Sequence, residues 1–250
     1  MNIVLGNPEA NLRKARDFAR EAASAGSQFL LLPELWSSGY DLERARLHAQ
    51  ANLSILEEME ALALEYRLTI GGSLLLEGPG GVYNSFVLAG AGGQEIARYN
   101  KLHLFRLMRE ERYLQPGQQP RLAQTVLGPA GLAVCYDLRF PELFRRYALD
   151  GAEIVLLPAE WPARRQEHWN VLLRARAIEN QMYVAGVNVT GPSGEETFGG
   201  GSAVISPWGE ITTSASAEEG LIHAEIDAEA VRSARERIPV FRDRRPEIYG

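Results

Sequence analysis

Thiol is nearly missing from this chain of 250 residues: Cys135 is its only cysteine. No internal disulfide can form, and a reducing cytoplasm is the expected home. The four histidines, His48, His103, His168 and His223, lack the paired spacing of a zinc site, so neither oxidation nor metal is expected to support the fold. No apolar run reaches membrane-spanning length, and the first residues lack the basic-then-apolar order of a signal peptide. Basic charge is also in short supply. With 26 Lys and Arg against 32 Asp and Glu, the net charge is −6 and the signs are interspersed, which argues against a nucleic-acid surface. No repeat or low-complexity segment stands out. What is present is 46% hydrophobic content in regularly spaced runs, enough for one large core and a single domain over residues 1–250.

The runs alternate in type. Residues 11–25 read as an amphipathic helix with Leu12, Ala15, Phe18, Ala19 and Ala22 on one stripe and Gly26 as its stop. A strand from Phe29, a helix over about 53–66, and strands over 69–76 and 82–89 around a glycine-rich turn follow. Further on, 141–149 and 168–180 read as helices and 153–157 and 183–188 as strands, with late strands flanking the turn Ser206-Pro207-Trp208-Gly209. This is an α/β layered pattern.

Three places carry candidate chemistry. Cys135 follows the apolar run Gly131-Leu132-Ala133-Val134 and opens a polar stretch, so it stands where a strand ends and a turn begins. A thiol held there can serve as a nucleophile, although a free cysteine also packs as a small hydrophobe. Glu34 ends the run Phe29-Leu30-Leu31-Leu32-Pro33 at a strand rim, where poor solvation raises a carboxyl pKa toward that of a general base; a solvated loop residue is the plain alternative. In residues 98–105, alternation places Lys101 on a face with Tyr99, His103 and Phe105. An ammonium there needs a carboxylate or a developing negative charge, unless it is an edge-strand charge that deters aggregation.

In the order Glu34, Lys101, Cys135, these residues resemble the triad of the nitrilase (carbon-nitrogen hydrolase) superfamily. The stretches Leu32-Pro33-Glu34, Tyr99-Asn100-Lys101-Leu102-His103-Leu104-Phe105 and Val134-Cys135-Tyr136-Asp137-Leu138-Arg139-Phe140-Pro141-Glu142 match the family pattern. In Glu110-Glu111-Arg112-Tyr113-Leu114-Gln115-Pro116-Gly117, Glu110 is similar to the family's second glutamate, with Glu111 as the neighbouring alternative. The resemblance implies a four-layer αββα sandwich, usually paired as a homodimer, that hydrolyses amides without cofactor or metal. In that chemistry Glu34 acts as base, Lys101 and the Tyr136 N–H stabilise the oxyanion, and Glu110 holds Lys101 and the substrate nitrogen in register. A Cys135–His103 dyad is the rival arrangement.

The stretch Ala159-Glu160-Trp161-Pro162-Ala163-Arg164-Arg165, followed by His168-Trp169, resembles the ω-amidase branch, implying 2-oxo acid monoamides such as 2-oxoglutaramate as substrates. Tyr40 and Trp161 are candidate pocket walls. Arg164 or Arg165 is the candidate reader of a substrate carboxylate. Hydrolysis of N-carbamoyl or β-ureido acids or of deaminated glutathione are competing readings, and a catalytically silent binding member is the non-enzymatic one. One departure stands out: family members usually carry an extra strand ahead of Gly6-Asn7-Pro8, and this chain, starting Met1-Asn2-Ile3-Val4-Leu5, is expected to lack it, leaving one sheet a member short with exposed backbone groups.

Overall fold

The computed structural model describes residues 1–249. Strands β1 (Phe29–Leu31), β2 (Thr69–Gly78), β3 (Gly81–Ala89) and β4 (Glu95–Asn100) form one sheet in that order, with β1 parallel to β2 and the remaining pairs antiparallel. Strands β5 (Arg121–Thr125), β6 (Gly128–Leu132), β7 (Ile154–Ala159) and β8 (Tyr183–Asn188) belong to a second sheet. After a separate hairpin, β9 (Thr190–Ser193) and β10 (Glu196–Gly199), strands β11 (Ala203–Ile205) and β12 (Ile211–Ser214) complete that sheet in the order β12-β11-β8-β7-β6-β5.

Strand alternation builds the layers. Along β3, Phe86 and Leu88 enter a core shared with Ala130, Leu132 and Leu156 of the second sheet, whereas Val87 and Ala89 face the opposite way, toward Ala19 and Met59. Those last two belong to helices α1 (Pro8–Ser24) and α2 (Ala45–Tyr66), which cover the first sheet. Beyond the one-turn α3 (Glu110–Tyr113), helices α4 (Pro141–Leu149) and α5 (Gln166–Asn180) cover the second. The result is the four-layer αββα sandwich that the resemblance implies. No helix among the described residues is long and apolar enough to cross a membrane.

Four elements depart from their sequence reading. Helix α1 starts at Pro8 because the Asn7 side chain caps the Ala10 N–H and proline suits the first helical position. Helix α2 starts at Ala45, earlier than the apolar stripe suggests, because its first turns bury His48 and Asn52: the former meets Asp41, the latter Ser37 and the Leu75 carbonyl. Inward polar residues hide the helical period. β4 stops at Asn100, so Lys101 to Phe105 are not a strand. The Lys101 N–H still donates to Asn84 O, but its carbonyl accepts from Gly117 N–H, and the chain turns there. A Cβ on Gly117 would fall on the Asn100 carbonyl, so glycine lets the Pro116-Gly117 turn lie against the chain at Lys101. β1 is likewise shorter than its apolar run and ends three residues before Glu34.

Four strands face six, and a groove of about 740 Å³ runs beside β1. Gln28 O and Leu32 N bond to β2, so alternation turns the N–H and C=O groups of Phe29 and Leu31 away from it, into the groove. Across it lie residues 221–226, outside any helix or strand and without a backbone hydrogen bond among the described residues. Met1 does not fill the gap as a strand; its carbonyl accepts from Thr190 N–H. Helix α6 (Ala228–Arg237) and the tail close over the second sheet, where Phe241 lies beneath Arg145 and Arg235 while Ile248 and Tyr249 stay exposed.

Candidate active site

Cys135 follows β6 at a backbone φ of +46°, a left-handed conformation that non-glycine residues seldom adopt. The turn Cys135–Arg139 is locked by Asp137, whose carboxylate accepts from Val134 N–H (2.8 Å), Tyr99 O–H (2.7 Å) and His103 N–H (3.1 Å). The same carboxylate meets His103 Nδ1 at 2.7 Å, and the His103 ring stacks on Phe140. One buried acid thus ties the segment carrying Lys101 to the turn carrying Cys135. It also occupies His103, which makes no hydrogen bond to the thiol. The helical bonds of this turn begin with Asp137 N–H donating to Val134 O, so the Tyr136 N–H is left outside them.

Glu34, Lys101 and Glu110 meet with no exposed side-chain surface. Lys101 Nζ donates to Glu34 Oε1 at 2.8 Å and to Glu110 Oε1 at 2.6 Å. The Tyr40 hydroxyl lies 2.8 Å from the first of these oxygens and 2.6 Å from the second, and its one proton serves one of them at a time. Glu34 Oε1 also accepts from Asn84 Nδ2 and Oε2 from the Glu160 N–H, both at 2.8 Å. Glu110 Oε2 accepts from the Phe105 N–H at 2.6 Å. Glu110, at the start of α3, is buried, whereas Glu111 is exposed. Cys135 Sγ is 3.8 Å from the Glu160 carbonyl.

This packing sets protonation states. Burial, followed by the charge of Glu34, pushes the Cys135 thiol well above its ordinary range. Burial works against the Lys101 ammonium, but Glu110 and Glu34 outweigh it and hold its pKa above the usual lysine value. Burial, then the two glutamates, also pushes the Tyr40 hydroxyl well up. A protonated thiol beside a carboxylate and a fixed ammonium can pass its proton to a base as it attacks an electrophile.

Other sequence candidates lie around this centre. Trp161 is buried, donates Nε1–H to Arg165 O at 2.8 Å, and carries the Arg139 guanidinium over its ring at 4.8 Å. Arg164 points outward, its side chain 54% exposed and paired with Glu196 at 2.9 Å. Arg165 instead stacks over Phe105 at 5.6 Å with a buried, unpartnered Nη1. Neither Arg139 nor Arg165 forms an ion pair among the described residues; Arg139 Nη2 lies 3.1 Å from His168 Nδ1, and partial burial lowers the pKa of its guanidinium. The sequence reading missed Asn84, Asp137, Arg139 and Glu160 as site residues. Asp137 and Arg139 lie within the cysteine motif, which was the available signal; Asn84 had none.

With this geometry in view, the comparisons agree. The carbon-nitrogen hydrolase family model matches residues 1–236, and the chain belongs to that family. It is 39% identical over 250 residues to the 2-oxoglutaramate amidase of Bacillus subtilis (strain 168), covering 99% of this chain and 96% of that one. It is also 32% identical over 254 residues to the omega-amidase NIT2 of Homo sapiens, covering 96% and 91%. A variant of the amidase from Nesterenkonia sp. AN1, solved with acrylamide added at its active-site cysteine, superposes with a TM-score of 0.85 at 30% identity, covering 96% of this chain and 95% of that one. The chain is an enzyme that hydrolyses amides.

Proposed function

We propose that the whole chain acts as one catalytic domain hydrolysing the terminal amide of a 2-oxo acid monoamide of the 2-oxoglutaramate type, releasing ammonia and a 2-oxo dicarboxylic acid. The observation that carries this reading is Lys101 held between Glu34 and Glu110 beside the chain's only thiol. Similarity to the Bacillus 2-oxoglutaramate amidase supports the substrate. Arg139, on the turn that begins with Cys135, and Arg165, stacked over Phe105, are free of carboxylate partners among the described residues and supply cations for the far carboxylate of such a substrate.

The steps follow from the groups present. Glu34 takes the Sγ proton as sulfur bonds to the amide carbon, and Lys101 with the Tyr136 N–H receives the negative oxygen. When the carbonyl reforms, the C–N bond breaks and Glu34 returns the proton to the nitrogen, so ammonia leaves and a thioester remains. Glu34 then takes a proton from water as its oxygen attacks the thioester, and gives that proton back to sulfur as the acid departs. Glu110 keeps Lys101 and the amide nitrogen aligned.

The enzyme works as a cytoplasmic homodimer in this reading. Val171, Ile178, Trp208 and Ile211, each at least 41% exposed, favour pairing through the second-sheet side. Sedimentation checks the dimer. Ammonia release from 2-oxoglutaramate, N-carbamoyl-β-alanine and a simple aliphatic amide tests the substrate, with Cys135→Ala expected to lose about 10⁴-fold or more in kcat. Preference for the carbamoyl compound, or no turnover of any of the three by folded protein, overturns the assignment.

A further inference from the structure

Glu160 contributes its backbone to the site, and its side chain takes no part in the steps above. The residue is 1% exposed, and neither carboxyl oxygen has a hydrogen-bond partner among the described residues. Its backbone is fixed on every side: the N–H donates to Glu34 Oε2 at 2.8 Å, the carbonyl faces Cys135 Sγ at 3.8 Å, and the following N–H, of Trp161, donates to Asn188 Oδ1 at 2.7 Å. The side chain therefore leaves a rigid point beside the nucleophile. With its N–H on Glu34 and its carbonyl on Cys135 Sγ, the residue stands against both groups, and its carboxyl is buried there without a partner. Burial, then the Glu34 charge, holds its pKa well above the usual carboxylate range.

An unpartnered buried carboxyl is costly, and a protonated one offers an O–H to whatever enters. Elimination identifies the recipient. Glu34 and Glu110 serve the nitrogen of the amide, and Lys101 with the Tyr136 N–H serves its oxygen, which leaves the acyl chain. We propose that Glu160 is a specificity-determining residue whose uncharged acid group donates a hydrogen bond to an acceptor on that chain, the 2-oxo oxygen in the substrate class proposed above. This inference rests on that reading. It gives the neutral form a purpose, because a third carboxylate here would repel an anionic substrate, whereas a neutral acid attracts its carbonyl. A site built to hydrogen-bond one group discriminates against the analogue that lacks it.

The test compares kcat/KM for 2-oxoglutaramate and for glutaramate, which carries a methylene where the former carries the oxo group. Wild type favours the oxo compound. Glu160→Met, similar in length and without a donor, lowers that preference by about tenfold or more, and Glu160→Gln, which keeps an uncharged N–H donor, preserves it within roughly threefold. An equal fall for both amides in the Met variant, or an unchanged preference, overturns the proposal. Failure of the substrate reading shows separately, as wild-type enzyme that hydrolyses other amides and not 2-oxoglutaramate. In that event infrared difference spectra of Cys135→Ala protein, with and without 2-oxoglutarate, decide. The protonated-carboxyl band that disappears when Glu160→Gln is added shifts on binding if Glu160 meets the oxo group, and an unshifted band rules this out.

Discussion

Around Lys101 and along β1, the same sandwich handles unmet polarity in opposite ways. At Lys101 three charged side chains lie fully buried, and all four oxygens of Glu34 and Glu110 accept a hydrogen bond from an ammonium, an amide or the backbone. At β1 no charge is buried; the strand turns bare backbone groups toward a groove bordered by Phe29, Leu31, Ala185, Val187, Leu221 and Ile226. Buried charge survives only where each lone pair is matched, whereas an open edge survives by being short and reachable by water. The first region holds its groups in fixed positions and suits chemistry. The second keeps hydrophobic contact without fixing register.

Lys101→Met attacks the contrast at its strongest point. Two carboxylates lose their shared ammonium, and we expect about 3–5 kcal/mol of lost stability in denaturant unfolding together with loss of ammonia release. A variant of wild-type stability would show that the network is not rigidly coupled. Asp137→Asn should act less severely, removing charge from the acid that holds the Cys135 turn and His103: about 1–3 kcal/mol in stability and about 100-fold in kcat, with KM little changed. Equal loss in a Cys135-independent property such as ligand binding would instead mark a purely structural role.

Glu160→Gln sharpens the comparison through pH. The folded pKa of Glu160 is raised, so the stability that comes from its bound proton is complete below the unfolded value of about 4.3 and is lost as pH rises toward the folded value. The Gln variant, which cannot ionise, should melt higher than wild type at neutral pH, with the difference closing toward pH ~4. A difference that does not vary with pH would mean that folding does not shift the pKa of this carboxyl. Ile226→Ala, on the groove side, should cost only about 1 kcal/mol and leave kcat unchanged. A tenfold drop in kcat would couple the groove to the site and dissolve the distinction.

How much of this was legible in the sequence depended on whether the signal was local. Helix α4 and strand β8 match their expected bounds because apolar period and an initial proline or terminal polar residue agree there. Glu34, Lys101, Glu110 and Cys135 were legible as motifs in order, though the alternation around Lys101 suggested a strand that the Gly117 contact ends. Arg164 and Arg165 illustrate the limit. One residue apart on a tight turn, they diverge by about a third of a revolution, one toward Glu196 and solvent, the other onto Phe105. Sequence cannot choose between them. Asn84 reaches Glu34 from β3 and Glu160 from just beyond β7, and only the register of two facing sheets brings them together.

Cys135 is the sole sulfhydryl in the chain and is 4% exposed. A thiol-selective reagent that labels folded protein therefore has one destination. With Cys135 as the nucleophile proposed above, moles of adduct per mole of polypeptide would count competent centres directly, so any preparation would carry its own active-site titration, and protection by a bound acid would report occupancy without a turnover assay.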